Sequence, residues 1–442
     1  MISTICAIAT PRGKGGISVI RISGPDAFTI TKKIFSSKKD IEKAEGYTIL
    51  HGNIIDGNEK VDEVLVSVFR APKSFTGENV CEISCHGGVI VTERILDLLL
   101  KNGCALADKG EFTKRAFMNG KMSLTQAEAV HDIIEAKTRK GAFMAINRLD
   151  GALTQKIVSL RDEIIKSLAM IQVSTDFPDE DIDAFQDGSL NNILIDFEKR
   201  LEILLNSAKR GIYLSNGARC AIVGMPNAGK SSLLNCLLEE EKAIVTHIPG
   251  TTRDVIEGRC EIDGVLINFL DTAGIRQTED VIEKMGVDKA KKLIDECDFV
   301  IFMSECGRSL TEEEKEIYEL VKDKNTICVL NKSDKIEENR EGFITISAKT
   351  GEGVDILKKE ISKLLDMGVE SNAMIANERQ REAVMNALNY IKSARKTLED
   401  GFFSDLTVID IHDAANELGE AEGMSVNDEV VDRIFRDFCL GK

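Results

Sequence analysis

Eight residues, Gly224-Met-Pro-Asn-Ala-Gly-Lys-Ser231, restrict this 442-residue chain more than any other feature of it. They match G-x-x-x-x-G-K-[ST] at every fixed position. They also stand between an apolar run, Cys220 to Val223, that reads as a strand and a run, Ser231 to Leu238, that reads as a helix. A glycine-rich turn in that setting lets backbone N–H groups at a helix N-terminus close around phosphates. Lys230 is then placed to reach the β- and γ-phosphates, and the Ser231 hydroxyl to meet Mg2+. Alone, the match could be a chance turn.

Three later strings, in a fixed order, make chance negligible. Asp271-Thr-Ala-Gly274 follows the predicted strand Leu266 to Leu270 and brings a carboxylate toward Mg2+ and a glycine N–H toward the γ-phosphate. Asn331-Lys-Ser-Asp334 follows the predicted strand Thr326 to Leu330. Its aspartate can accept two N–H bonds from a guanine ring, a donor pattern that adenine lacks. Ser347-Ala-Lys349 closes the base pocket. The expected activity is GTP hydrolysis. One position departs from the Ras pattern: Ile275 occupies the place of the glutamine that orients the attacking water, and an apolar side chain can do neither that nor polarise it. Arg253 and Arg276 lie close by in sequence and read as structural or surface residues, so no arginine finger is assigned. The amide oxygen of Asn227, beside the phosphates, could hold a monovalent cation in that role.

The surroundings show several domains. Strand patterns at Ile17 to Ile22, Val64 to Phe69 and Val80 to Ser84, with a helix at Thr92 to Lys101, predict an α/β or α+β domain ending near residue 118. From Ser123 to Arg210 the period is helical, with Leu194, Phe197, Leu201, Leu204 and Ala208 on one stripe and Gly211 as the expected stop. Strand, turn and helix then alternate from Arg219 to about Leu365, the pattern of a doubly wound α/β domain. Helix returns at Asn377 to Glu399, striped by Val384, Leu388, Ile391 and Leu398. It continues through Asp410 to Phe438 with an expected break over Gly419 to Gly423. A stripe on each side suggests one helical domain split by an insertion, with predicted boundaries 1–118, 119–217, 218–372 and 373–442.

Composition narrows the classes. Hydrophobic residues at 43%, charged residues at 30% and six prolines describe a soluble globular chain. A net charge of −17 argues against coating nucleic acid, so any RNA contact is expected to be local or shared with a partner. No run is long and apolar enough for a membrane span, and the N-terminus lacks the cationic region and cleavage site of a signal peptide; a cytoplasmic protein is expected. Eleven cysteines without a CxxC pair fit reduced thiols. Cys81, Cys85 and His86 could suggest zinc, but they fall on a strand-like run and lack a fourth ligand. Asp179, Asp181, Asp183 and Asp187 fail as a calcium loop, because Ala184 and Leu190 stand where Gly and Glu are needed. The acidic stretch Val408 to Leu440 reads as a solvated face.

Strings along nearly the whole chain resemble the MnmE (TrmE) family of tRNA modification GTPases. They are Ala7-Ile-Ala-Thr-Pro11, Arg21-Ile-Ser-Gly-Pro25, Cys85-His-Gly-Gly88, Gly110-Glu-Phe-Thr-Lys-Arg-Ala-Phe117, Leu124-Thr-Gln-Ala-Glu-Ala129, Gly250-Thr-Thr-Arg-Asp254 and Phe438-Cys-Leu-Gly-Lys442. Leu440 replaces the family's usual isoleucine. The resemblance implies an N-terminal α+β domain that forms a homodimer and binds 5-formyltetrahydrofolate or a related reduced folate, and a split helical domain carrying an inserted Ras-like P-loop GTPase domain. Carried over by position, the folate contacts are Arg21, Glu82, Lys121 and Lys442. The nucleotide contacts are Asn227, Ala228, Gly229, Lys230, Ser231, Ser232, Thr246, His247, Ile248, Pro249, Gly250, Thr251, Thr252, Asp271, Thr272, Ala273, Gly274, Asn331, Lys332, Asp334, Ser347, Ala348 and Lys349. K+ falls to Asn227, Thr246, Ile248 and Thr251, and Mg2+ to Ser231 and Thr252. Lys230 and Glu283 take catalytic roles, Glu283 orienting the water that Ile275 cannot. Read without the family, Arg21 and Lys121 are ordinary surface cations and Glu283 is a helix-surface charge.

The implied reaction adds a carboxymethylaminomethyl-type group to C5 of the wobble uridine, U34, of tRNA, with a FAD-dependent partner of the MnmG (GidA) type. Cys439, beside the folate, could be a nucleophile, though a buried structural cysteine is the commoner outcome. Two rivals share parts of this pattern. A ribosome-assembly GTPase switch has the same nucleotide strings but does not explain Gly110 to Phe117 or the C-terminal string, and no basic RNA-binding module is present. A folate-dependent one-carbon transferase with a regulatory GTPase domain is the other.

Overall fold

The computed structural model describes residues 3–176, 189–240, 256–270, 294–336, 338–365, 373–400, 405–424, 428–436, 438–439 and 441. One unit is built from Met1–His131, Leu149–Val158 and Gly419–Lys442, the other from Asp132–Arg148 and Ser159–Leu418.

Period-two alternation organises the first unit. Strands β1 (Ile5–Ile8), β2 (Ile17–Ser23), β3 (Phe35–Ser37), β4 (Thr48–Asp56), β5 (Glu59–Phe69), β6 (Val80–His86) and β7 (Ala105–Leu106) form one sheet in the order β3-β4-β5-β6-β2-β1-β7. It is antiparallel except for the β1–β7 edge. Ile20, Ile22, Val66, Cys81 and Ile83 point to one face and pack with Ile30 and Ile34 of α1 (Ala27–Ile34) and Ile95 and Leu99 of α2 (Val89–Lys101). The intervening residues face the other way. Ala7, Arg21, Glu82, Ser67 and Ile49 are successive cross-strand partners and so make one row across that second face. Helix α3 (Glu111–Met118) covers the Ala7 end, its Phe112 packing with Ile5, Ala7 and Ala107. At the other end the face is open: Ile49 is 65% exposed and Leu65, on the next row, 46%. Helices α4 (Leu124–Glu135) and α13 (Asp428–Phe435) join through Leu124, Ala127, Val431 and Phe435.

The second unit holds α5 (Arg139–Leu149) as far as Arg148, α6 (Ala152–Asp176) from Ser159 onward, α7 (Ser189–Asn216), α8 (Lys230–Glu240), α9 (Glu312–Val321), α10 (Val354–Leu365), α11 (Glu378–Glu399) and α12 (Asp405–Glu422) as far as Leu418. Its sheet comprises β8 (Ala218–Gly224), β9 (Ile256–Ile262), β10 (Val265–Leu270), β11 (Phe299–Glu305), β12 (Thr326–Asn331) and β13 (Phe343–Thr345), in the order β13-β12-β11-β8-β10-β9. All pairs are parallel but β9–β10. Every residue from Phe299 to Ser304 is buried, as a central strand covered on both faces requires. The α+β unit, the helices and the doubly wound sheet match the expected fold class. Eight-residue helices such as α1 escaped the sequence reading because so few turns give little periodicity.

The two predicted stripes meet. Leu194, Phe197, Leu201 and Leu204 of α7 are buried, as are Val384, Leu388 and Ile391 of α11, and the two helices pack together. Leu398 is only half-buried. Glu198 and Glu202 on α7 pair with Lys392 on α11, and Glu198 also with Arg395. One stop is misplaced. Helix α7 runs through Gly211 and ends at Gly217, whose φ of +81° is the left-handed conformation that closes helices. Helix α12 breaks at Gly423, the last residue of the expected interval, after running through Gly419. Gly211 has a different reason: a Cβ there would lie 2.0 Å from the carbonyl oxygen of Ile375. It is glycine because two backbones touch. The calcium question at Asp179 to Asp187 lies outside the described residues. Cys81 and Cys85 are buried in β6, and burial pushes the Cys81 thiol up to about 12. His86 pairs with Asp62 instead. Among the described residues no cluster of metal-binding side chains forms.

An interior helical Gly→Ala ordinarily stabilises by about 0.5–1 kcal/mol. At Gly211 the clash reverses the sign. Gly211→Ala is expected to lower stability by about 1–3 kcal/mol, read as a fall in Tm in thermal unfolding; a raised Tm would contradict the close approach.

Candidate functional site

Strand β8 delivers the chain to Gly224, and α8 begins at Lys230, so the residues between them form a tight turn at a helix N-terminus. Asn227 takes φ +67° at the apex and is exposed, while Ala228 is buried. The Lys230 ammonium folds back over the turn and donates to the carbonyls of Gly224 at 2.8 Å and Met225 at 2.9 Å. Ser231 and Ser232 open the helix behind it.

Asn331, at the end of β12, ties this turn to the base loop. It is 3% exposed. Its Nδ2 donates to the Ala228 carbonyl at 2.7 Å, and its Oδ1 accepts from the Ala348 N–H at 2.9 Å. Gly229 is excluded from bearing a side chain by the same amide, since a Cβ would sit 2.1 Å from Asn331 Nδ2. Asp334 is exposed, and its Oδ1 accepts from the Ser347 hydroxyl at 2.9 Å, which orients the carboxylate. Lys332 takes φ +72° and pairs with the Glu305 carboxylate. Lys349 is exposed. Of the expected nucleotide contacts, Asn331 therefore joins Ala228 to Ala348, and Asp334 joins Ser347. Thr246, His247, Ile248, Pro249, Gly250, Thr251, Thr252, Asp271, Thr272, Ala273, Gly274, Ile275 and Glu283 lie outside the described residues, as do Arg253 and Arg276.

The first unit collects a second group. Arg21 and Glu82 are cross-strand partners, with Arg21 Nε donating to Glu82 Oε1 at 2.8 Å. Arg21 Nη1 also reaches the Gly441 carbonyl at 3.5 Å. The guanidinium lies 5.4 Å from the ring centre of Phe75 and 5.6 Å from that of Phe112. Lys121 does not join this pair; its ammonium donates to the Pro72 carbonyl at 3.1 Å. Lys442 lies outside the described residues. Cys439 is exposed rather than buried, and its carbonyl accepts from the Gly110 N–H at 3.3 Å. Sequence reasoning gave Arg115 no role. It donates to the Ser3 carbonyl and pairs with Glu78 and Glu111, which anchors α3. Its only signal was its place in the Gly110 to Phe117 string.

Two family models match the chain: "GTP-binding protein TrmE N-terminus" over residues 4–121 and "MnmE helical domain" over residues 124–439. The tRNA modification GTPase MnmE of Ligilactobacillus salivarius is 44% identical, covering 99% of this chain and 98% of its own length. That of Carboxydothermus hydrogenoformans is 42% identical over 100% of both. Among solved structures, an Aquifex aeolicus Era variant bound to GDP and AlF4− is 32% identical over 39% of this chain and 66% of its own, with a TM-score of 0.28.

Asp334→Asn replaces an acceptor of two N–H bonds by an amide that can match only one. Affinity for GTP is expected to fall by roughly 100-fold or more, with relative gain for xanthosine triphosphate, whose ring offers a carbonyl there. Binding titrations with the two nucleotides check this.

Proposed function

This chain belongs to the MnmE family of tRNA modification GTPases, and we propose that it uses K+-dependent GTP hydrolysis to drive addition of a carboxymethylaminomethyl-type group to C5 of the wobble uridine, U34. The observation that carries the GTPase part is Asn331, whose one buried amide holds the phosphate turn and the base loop at a fixed separation. Lys230 bonds to β- and γ-phosphate oxygens on leaving the carbonyls it now caps. Asp334, steadied by Ser347, selects guanine. Ser347, Ala348 and Lys349 wall the base.

Ser231 with Thr252 would hold Mg2+, and Asn227 with Thr246, Ile248 and Thr251 would hold K+. The described donors fit: the side chains of Asn227 and Ser231 make no hydrogen bond among the described residues, which leaves their oxygens available. When bound, the two cations neutralise charge that develops on the phosphates during transfer. Glu283 orients the attacking water in this reading.

For the first unit we propose a reduced folate, 5-formyltetrahydrofolate or a relative, held by Arg21, Glu82, Lys121 and Lys442. Support comes from the Arg21–Glu82 pair, which holds a carboxylate beside a guanidinium that lies over two aromatic rings. A guanidinium suits a glutamate tail, and the carboxylate suits pterin N–H groups. The open end of the same sheet face, at Ile49 and Leu65, supports a homodimer. A FAD-dependent partner protein of the MnmG type completes the reaction on tRNA in the cytoplasm. No helix among the described residues is long and apolar enough to cross a membrane.

Nucleoside analysis of tRNA from cells lacking the chain is expected to show loss of the U34 modification; an unchanged profile would overturn the role. GTP turnover is expected to be faster in KCl than in NaCl, and Asn227→Ala to lower kcat in KCl by about 100-fold. Equal rates in both salts would remove K+ from the reading.

A further inference from the structure

The string Gly110 to Phe117 has so far supplied an anchor and one ring beneath Arg21. Its helix, α3, has a second face, and that face forms one wall of a 590 Å3 cavity whose opposite wall is α13. Pockets of about 300–1,000 Å3 take small organic groups. Two of the four cations lining it are already engaged, Lys114 by Asp432 and Arg115 by Glu78 and Glu111. The other two are Lys109, just before α3, and Arg436, just after α13. Both are exposed, and neither side chain forms an ion pair among the described residues. Arg436 also acts at longer range on Asp432, and the lining as a whole carries four cations against three carboxylates, a local reversal of sign in a chain of net charge −17.

The rest of the lining limits what those cations can serve. The Asp108 carboxylate is exposed and has no side-chain partner among the described residues, so it offers acceptors beside the cations. Met118, 61% exposed, adds an apolar surface over which a flat ring can lie. An anion alone leaves the acceptors and the thioether unused, and an acidic peptide brings its charge against Asp108. A nucleotide meets all three: phosphate for the cations, base N–H groups for the carboxylate, and an aromatic face for Met118.

We propose that this cavity receives one nucleotide of the RNA substrate, with its phosphate held by Lys109 and Arg436. The inference rests on the tRNA reading above and gives it a place on the chain. Phe112, on the opposite face of α3, packs beneath the Arg21 guanidinium. One short helix, about 10 Å across, therefore separates the nucleotide from the proposed folate contacts.

The test is fluorescence anisotropy of labelled tRNA with the full-length protein at several salt concentrations. Lys109→Gln/Arg436→Gln is compared with wild type and with Lys38→Gln/Lys39→Gln, which removes the same charge from exposed positions elsewhere in the first unit. The cavity pair is expected to weaken binding by roughly tenfold or more at low salt and to reduce the slope of log K against log salt by roughly 1–2. The control pair is expected to bind as wild type does. Matching far-ultraviolet circular dichroism establishes that the variants fold; Lys109→Gln alone, in an exposed loop, reads the same effect at about half the slope change. Unchanged binding by the cavity pair, an equal loss in both pairs, or no binding of tRNA by wild type overturns the proposal. The first two outcomes, with loss of U34 modification in cells lacking the chain, overturn the cavity and leave the tRNA role standing.

Discussion

A buried amide with partners on two different loops fixes the distance between them, and Asn331 is such an amide. Neither its donor nor its acceptor can turn to water, so losing either partner strands a polar atom at a cost of about 1–3 kcal/mol. The phosphate turn, the end of β12 and the base loop are thereby one object. The constraint reaches back into the sequence. Gly229 bears no side chain because the Asn331 amide fills the space a Cβ would take, so two strings far apart in the chain are explained by one contact.

That coupling explains why a candidate nucleotide site is legible in the sequence. Phosphate and guanine each demand particular donors at particular spacings, and the strings around Lys230, Asp334 and Ser347 state those demands residue by residue. The first unit was harder to read. Arg21 and Glu82 lie far apart in the chain and meet only because β2 and β6 pair in one register, which no local pattern encodes. Only the family resemblance pointed to them as a pair. A glycine misleads for a related reason: a helix stop and a close backbone approach leave the same letter, so Gly211 reads as an end although it lies inside a helix. Cys439 was expected to follow the usual burial of cysteine, and it is exposed.

The two sheets use apolar sequence differently. In the second unit β11 is buried throughout, so the strand reads as an unbroken apolar run and the surface available for ligands is confined to the loops at its ends. In the first unit every other residue is released to a second face. Part of that face is covered by α3 and part is open, so Arg21 and Glu82 sit on a row that runs from a packed edge to an exposed one.

The contact between Gly211 and Ile375 has a topological meaning. One residue belongs to the last turns of the helix leading into β8, and the other to the segment between α10 and α11. The chain therefore leaves the helices and returns to them at almost the same point, and everything between is a closed ring drawn shut by two touching backbones. A ring of that kind can be lengthened, exchanged or cut out and its ends rejoined by a short turn without parting α7 from α11.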